Sequence, residues 1–257
     1  GFFALYMMAS FLVLGVGSFF LIREAMPDSD PLQVVNSYLL FAIVGDLIFR
    51  YLMQKMPVME VKPLLILPIK KNKLLHYVLG KSVFSAFNIF SLFFYIPFAI
   101  VLMVQDYSIS GAFAWLFSMI FIIQCANFLN FIINKNNTAF WTLAVLLLGA
   151  SALQYFDIYD VSIHSQAIFD GLFANPIFVL IPIALLVILY NINYKILKQQ
   201  LYLDDAVKVS VKEANTADLS WANRFGEMAP FIKNEIRLIW RNKRTKTVFL
   251  MSFAFVL

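Results

Sequence analysis

The chain has 257 residues, 61% of them hydrophobic and 14% charged, with a net charge of +5 and a mean hydropathy of +0.79. Soluble domains hold about half apolar and about a quarter charged residues, so this balance argues against a soluble enzyme or a nucleic-acid-binding domain and for an all-α polytopic membrane protein. The single Cys125 lies in an apolar run and can make neither an internal disulfide nor a thiolate zinc site.

The sequence opens on GFFALYMMASFLVLGVGSFFLI with no basic stretch ahead of it, which reads as a first span and not as a cleaved signal peptide. A membrane-crossing helix needs about 20 apolar residues. Runs of that kind mark six spans, at Gly1–Ile22, Leu32–Gln54, Tyr77–Val104, Gly111–Ile133, Thr138–Phe156 and Pro176–Tyr194. They form a six-span bundle over 1–194, and the third run is long enough for its first turns to lie outside lipid. A cytoplasmic linker is expected over 195–230, an amphipathic interfacial helix over 231–246, and the start of a seventh span over 247–257. The sequence stops inside that last run, so it reads as the visible part of a longer protein whose second half is truncated.

Loop charges alternate in sign. Residues 23–31, 105–110 and 157–175 carry Glu24, Asp28, Asp30, Asp106, Asp157, Asp160 and Asp170 against Arg23 alone, whereas the opposite loops carry Lys55, Lys62, Lys70, Lys71, Lys73 and Lys135. Basic loops stay on the cytoplasmic side, so 55–75, 134–137 and 195–246 are expected there. The glycosylation pattern Asn136-Asn137-Thr138 then faces the cytoplasm, where it would receive no glycan.

In the second span Asp46 and Arg50 stand one helical turn apart. An ionisable pair at membrane depth is costly unless partnered, so the two are read as a same-helix ion pair with Arg50 snorkelling, or as a gating pair. Gln124, Asn127, Asn130 and Asn134 line one side of the fourth span, and Ser82, Ser85, Asn88 and Ser91 give the third a drifting polar edge. Interhelical hydrogen bonding and a polar substrate path both fit these stripes.

The segment LLILPIKKNKLLHYVLGKS (64–82) ends like a phosphate-binding loop, but Leu75 stands where that motif needs its first glycine, and Lys81 leads into a span. His76 and His164 read as isolated, and no triad or carboxylate cluster appears. No catalytic, cofactor or metal residue is therefore assigned. Pro63 and Pro68 interrupt helix on either side of Leu64-Leu65-Ile66-Leu67, four aliphatics that need something to pack on.

Leu64, Leu65, Leu67, Pro68, Ile69, Leu75, Leu79, Gly80 and Lys81 stand where type-2 ABC exporter permeases carry an LL-x-x-P-[IV] stretch followed by LGK. The chain resembles that family over roughly residues 1–194, and more specifically a bacterial family of permease-like proteins with two fused halves. Glu60 matches the family's upstream glutamate, but its Glu-Arg-Glu run is absent. The resemblance implies a permease component of an ABC-type exporter in the bacterial inner membrane, with no cofactor of its own. Its partners would be membrane lipids, a second six-span half, fused or dimeric, and a separate ATPase subunit. That ATPase would dock on Leu64, Leu65, Ile66, Leu67, Pro68, Ile69, Lys70, Lys71 and Lys73. The family also places a longer outer segment between spans 5 and 6, here 157–175, which reads either as short re-entrant helices or as an ordinary loop.

In FIKNEIRLIWRNKRTK (231–246), Ile232, Ile236, Ile239 and Trp240 share a helical face beside the basic stripe Lys233, Arg237, Arg241 and Arg244. Such a helix lies in the headgroup plane, each basic residue worth about 1 kcal/mol at an anionic surface. The permeases open each half with such a helix, while a basic flank that stops translocation fits equally. Beside the exporter stands a second expectation, a non-transporting scaffold subunit of an envelope complex. A lipid-modifying enzyme is a third.

Overall fold

The computed structural model describes residues 2–54, 71–134, 137–206 and 219–241. The described residues form helices and connecting turns without a strand, in two compact units, Gly1–Leu201 and Tyr202–Leu257.

The first unit holds α1 (Phe2–Ala25), α2 (Pro31–Met53), α3 (Lys71–Val83), α4 (Ala86–Val104), α5 (Ile109–Ile133), α6 (Asn137–Tyr155), α7 (Ser162–Ala174), a 3-10 turn (Pro176–Val179) and most of α8 (Leu180–Ala206). Six stretches are long and apolar enough to cross a membrane, as a helical membrane protein requires: Ala4–Ala25, Pro31–Met53, Ala86–Val104, Ile109–Ile133, Thr138–Tyr155 and Pro176–Gln199.

Several helix starts follow from single residues. The Asp30 side chain caps α2 by accepting from the Leu32 amide at 2.9 Å, with Pro31 in the first turn, and Ser108 caps α5. Asp106 and Asp157 adopt positive φ at turns after α4 and α6, a conformation Asp tolerates better than most residues.

The helix α5 forms the centre. Phe98, Ala99 and Leu102 of α4, Trp115 and Met119 of α5, and Phe169 and Leu172 of α7 join Phe19, Leu32 and Leu39 in one buried cluster. The helix α1 packs chiefly on α4, with Gly15 buried against the backbone of Phe94. A side chain at Gly15 would overlap the Phe94 carbonyl, so glycine sets this approach, as small residues do between membrane helices. No described residue of Thr138–Tyr155 is fully buried, which leaves α6 facing outward from this unit.

The acidic connections gather at one end. Arg23 donates to Gln105 (3.0 Å), Tyr107 to Asp30 (2.5 Å) and Asn36 to Asp170 (2.7 Å). Burial, and then the bond to Asp30, pushes the Tyr107 hydroxyl pKa up. The segment 157–175 contains the helix α7, held by Ser165, whose hydroxyl donates to the Asn36 carbonyl at 2.6 Å and accepts from the Leu40 amide at 3.1 Å. Its buried face is Ser165, Phe169 and Leu172, while Ile163 and Ile168 are exposed.

Two expected boundaries need correction. The run Tyr77–Val104 is not one helix: α3 ends at Val83, and Ser85 caps a new helix by accepting from the Asn88 amide. The helix α8 runs to Ala206 instead of giving way to a linker at 195, because Leu197 is buried against the bundle.

The second unit holds a 3-10 segment (Ser220–Met228) kinked at Gly226 (φ 54°), followed by α9 (Ala229–Arg241). Ile232, Lys233 and Ile236 are half-buried and Arg237 exposed, and the Lys233 ammonium donates to the Asn223 side-chain oxygen at 2.5 Å. The side chains of Ile239, Trp240 and Arg241, and all of 242–257 with the expected seventh span, lie outside the described residues.

Candidate functional site: a polar chain inside the bundle

The polar residues of spans two, three and four converge. Arg50 is fully enclosed and forms the same-helix ion pair with Asp46 that the spacing predicts. Its Nε donates to Asp46 at 2.6 Å, its Nη1 to the Asn88 Oδ1 at 2.6 Å, and its guanidinium lies 5.7 Å from the centre of the Phe87 ring. A buried cation is tolerated only with a counter-charge and hydrogen bonds, and Asp46 and Asn88 supply them. Its Nη2 has no hydrogen-bond partner among the described residues.

Asn88 also explains why the third apolar run breaks. Its Nδ2 donates to the Val83 carbonyl (2.8 Å), the Ser82 carbonyl (3.3 Å) and Gln124 Oε1 (3.2 Å). The first is a carbonyl at the end of α3 that no further helical turn uses, and the second also accepts from the Ser85 amide at 3.1 Å. One side chain at the start of α4 thus caps the end of α3 and holds the arginine of α2.

The chain continues toward the end of the bundle opposite the acidic loops. Asn127 donates to the Ser82 hydroxyl (3.0 Å), Gln54 to Asn127 (3.0 Å), Asn130 to Gln54 (3.0 Å) and Asn134 to Asn130 (2.8 Å). Asn127 and Asn130 are buried, and each amide is engaged by another protein group. The arrangement ties α2, α3, α4 and α5 together through their side chains. Gln54 is the member that the span-four stripe alone did not indicate; its signal was a polar residue one helical turn beyond Arg50 at the end of the second span.

The helix α3 is mounted on this bundle and does not cross it. Leu74, Leu75, Val78 and Leu79 share one face and are buried against Cys125, Phe128 and Phe131 of α5 and Leu189 and Leu197 of α8. His76, read from the sequence as isolated, meets the Tyr190 hydroxyl at 2.5 Å and stacks on Tyr194 at 4.9 Å. His164 is likewise hydrogen-bonded, to Tyr159. Gly80-Lys81-Ser82 belong to the last turns of α3, where the backbone amides are helical and cannot cradle a phosphate.

Of the expected ATPase-docking residues, Leu64, Leu65, Ile66, Leu67, Pro68, Ile69 and Lys70 lie outside the described residues. Lys71 begins α3, and Lys73 is exposed on its first turn.

A mostly apolar helical bundle with its polar groups paired internally is the interior of a multi-pass membrane protein. The chain belongs to a family of unknown function, DUF5687, whose pattern matches residues 1–257. No curated protein and no solved structure matches it.

Proposed function

We propose that this chain is the permease component of an ABC-type exporter, set in the bacterial inner membrane and driven by a separate ATPase that docks on Leu64–Lys73. The observation that carries the reading is the mounting of α3. A partner pressing on residues 64–73 would push a helix whose apolar face is seated on α5 and α8. The end of that helix is bonded through Asn88 to the Arg50–Asp46 pair of α2. Displacement at the docking segment thereby reaches the second and fourth spans through direct contacts, which is the mechanical need of a permease powered from outside. The helix α7 between the fifth and sixth apolar helices supports the same layout at the opposite end. Transport itself is attributed to this chain by resemblance, since fold does not fix function.

The experiment is co-purification from membranes in which the full-length protein is co-expressed with ABC ATPase subunits of the same genome. Leu65→Asp with Leu67→Asp is expected to abolish capture of the ATPase while leaving the membrane protein folded. Undiminished capture and undiminished transport would overturn the assignment and leave the scaffold reading in its place.

A further inference from the structure

A cavity of about 540 Å³ lies between α1, α2 and α4. Its walls are apolar, with Phe11 and Leu14 from α1, Val35 and Phe49 from α2, and Phe94 from α4 among them. Leu14, Tyr38 and Phe49 on its rim are about half-exposed, so it opens sideways out of the bundle, at the depth of the apolar helices. The volume is that of a site for a small organic molecule.

Polar groups meet at one place. Asp46, Ser91 and Tyr95 line both this cavity and a neighbouring pocket of about 30 Å³, so they form a polar waist between a large apolar space and a small one. The small pocket suits a single hydroxyl or one water. Arg50 occupies one oxygen of Asp46 and is itself fully enclosed, whereas the Asp46 side chain keeps 29% of its surface accessible. No described residue donates to the second Asp46 oxygen.

Charge decides the ligand class. Asp46 and Arg50 cancel, so a cationic or anionic ligand would bring an uncompensated charge to membrane depth, at a cost of about 2.5 kcal/mol or more. A neutral ligand without a donor would leave the free carboxylate oxygen unsatisfied. We propose that this cavity binds an uncharged amphiphile, a molecule with an alkyl or fused-ring body and a hydroxyl head, the hydroxyl donating to Asp46 at the waist. A bilayer diacylglycerol and a free long-chain alcohol share that chemistry. The proposal needs no ATPase and is independent of the exporter reading.

The test uses the full-length protein in nanodiscs without any ATPase. Two photoreactive probes are applied in parallel: a diazirine-bearing dodecanol added from solution, and a diazirine-bearing diacylglycerol built into the bilayer. Labelled residues are mapped by mass spectrometry. The expected result is labelling concentrated on α1, α2 and α4 around Phe11, Val35 and Phe94, and whichever probe labels identifies the source. Competition should rank dodecanol above its methyl ether and above dodecyltrimethylammonium by about tenfold, the worth of one hydrogen bond to a charged group. Gly45→Leu adds a side chain at a residue that lines the cavity, where a Cβ meets nothing within 4 Å, and it leaves Asp46 and Arg50 intact. It should lower labelling at least tenfold with no change in thermal stability. Labelling spread evenly over α6 as well, equal competition by the ether, tighter binding of the ammonium, or full labelling of Gly45→Leu would each overturn the proposal.

Discussion

Replacing Arg50 with alanine tests whether the polar chain is a set of separable contacts or one paired unit. The substitution strands the Asp46 carboxylate, removes the donor to Asn88 and takes a cation from the Phe87 ring. Single hydrogen bonds between membrane helices contribute about 0.6 kcal/mol on average and up to about 1.7. Removing one partner of a buried ion pair costs about 3–5 kcal/mol. Asp46 retains 29% side-chain exposure, so the lower end applies, and a loss of about 3–4 kcal/mol is expected. For a chain of this size that lowers Tm by about 6–16 °C. The double variant Asp46→Asn with Arg50→Ala removes both charges and should lose only about 1–2 kcal/mol, the worth of the remaining hydrogen bonds. The assay is a double-mutant cycle of reversible unfolding in mixed micelles, with helicity as the signal. Losses that simply add, with the double variant the least stable of the three, would refute the argument that the counter-charge dominates.

Two further outcomes follow from local geometry. Gly15→Ala forces a Cβ onto the Phe94 carbonyl, so α1 must move off α4 at a cost of about 1–3 kcal/mol, whereas Gly17→Ala meets nothing within 4 Å and should be neutral or stabilising; equal thermal melts of the two variants would show that α1 does not pack as described. Asp160, outside the apolar spans, is held below the usual carboxylate range by hydrogen bonds from Ser162 first and then Gln154. Its contribution to the start of α7 is therefore present above the ordinary carboxylate pKa and fades as pH falls through the lowered one. The protection factors of the first α7 amides against hydrogen exchange should fall below about pH 4, and Asp160→Asn should remove that pH dependence. The same acid response in the variant would locate the titrating group elsewhere.

What the sequence determined by itself are properties that depend on neighbours along the chain. Apolar run length set the number and position of the long helices, because a membrane-crossing helix must satisfy its backbone internally over about 20 residues. Short-range chemistry set several ends, as with Asp30 and Pro31 at α2 and Ser108 at α5. The spacing of Asp46 and Arg50, and of the four amides in the fourth apolar helix, was legible as two polar features, though not as one.

The rest depended on contacts between residues far apart in sequence. Arg50 meets Asn88, and Gln54 meets both Asn127 and Asn130, pairings that no periodicity within one helix encodes. The break at Phe84–Ser85 is not made by the run's proline, Pro97, which lies inside α4, and it persists because Asn88 and Gln124 supply donors to the Val83 carbonyl that α3 leaves free. The helix α8 outlasts its apolar run because Leu197 and Asn193 find partners on the bundle, the latter at the Phe128 carbonyl. The cavity beside Asp46 was likewise invisible in the sequence. It is a space between three helices, and only their packing decided that a carboxylate paired through one oxygen would line it.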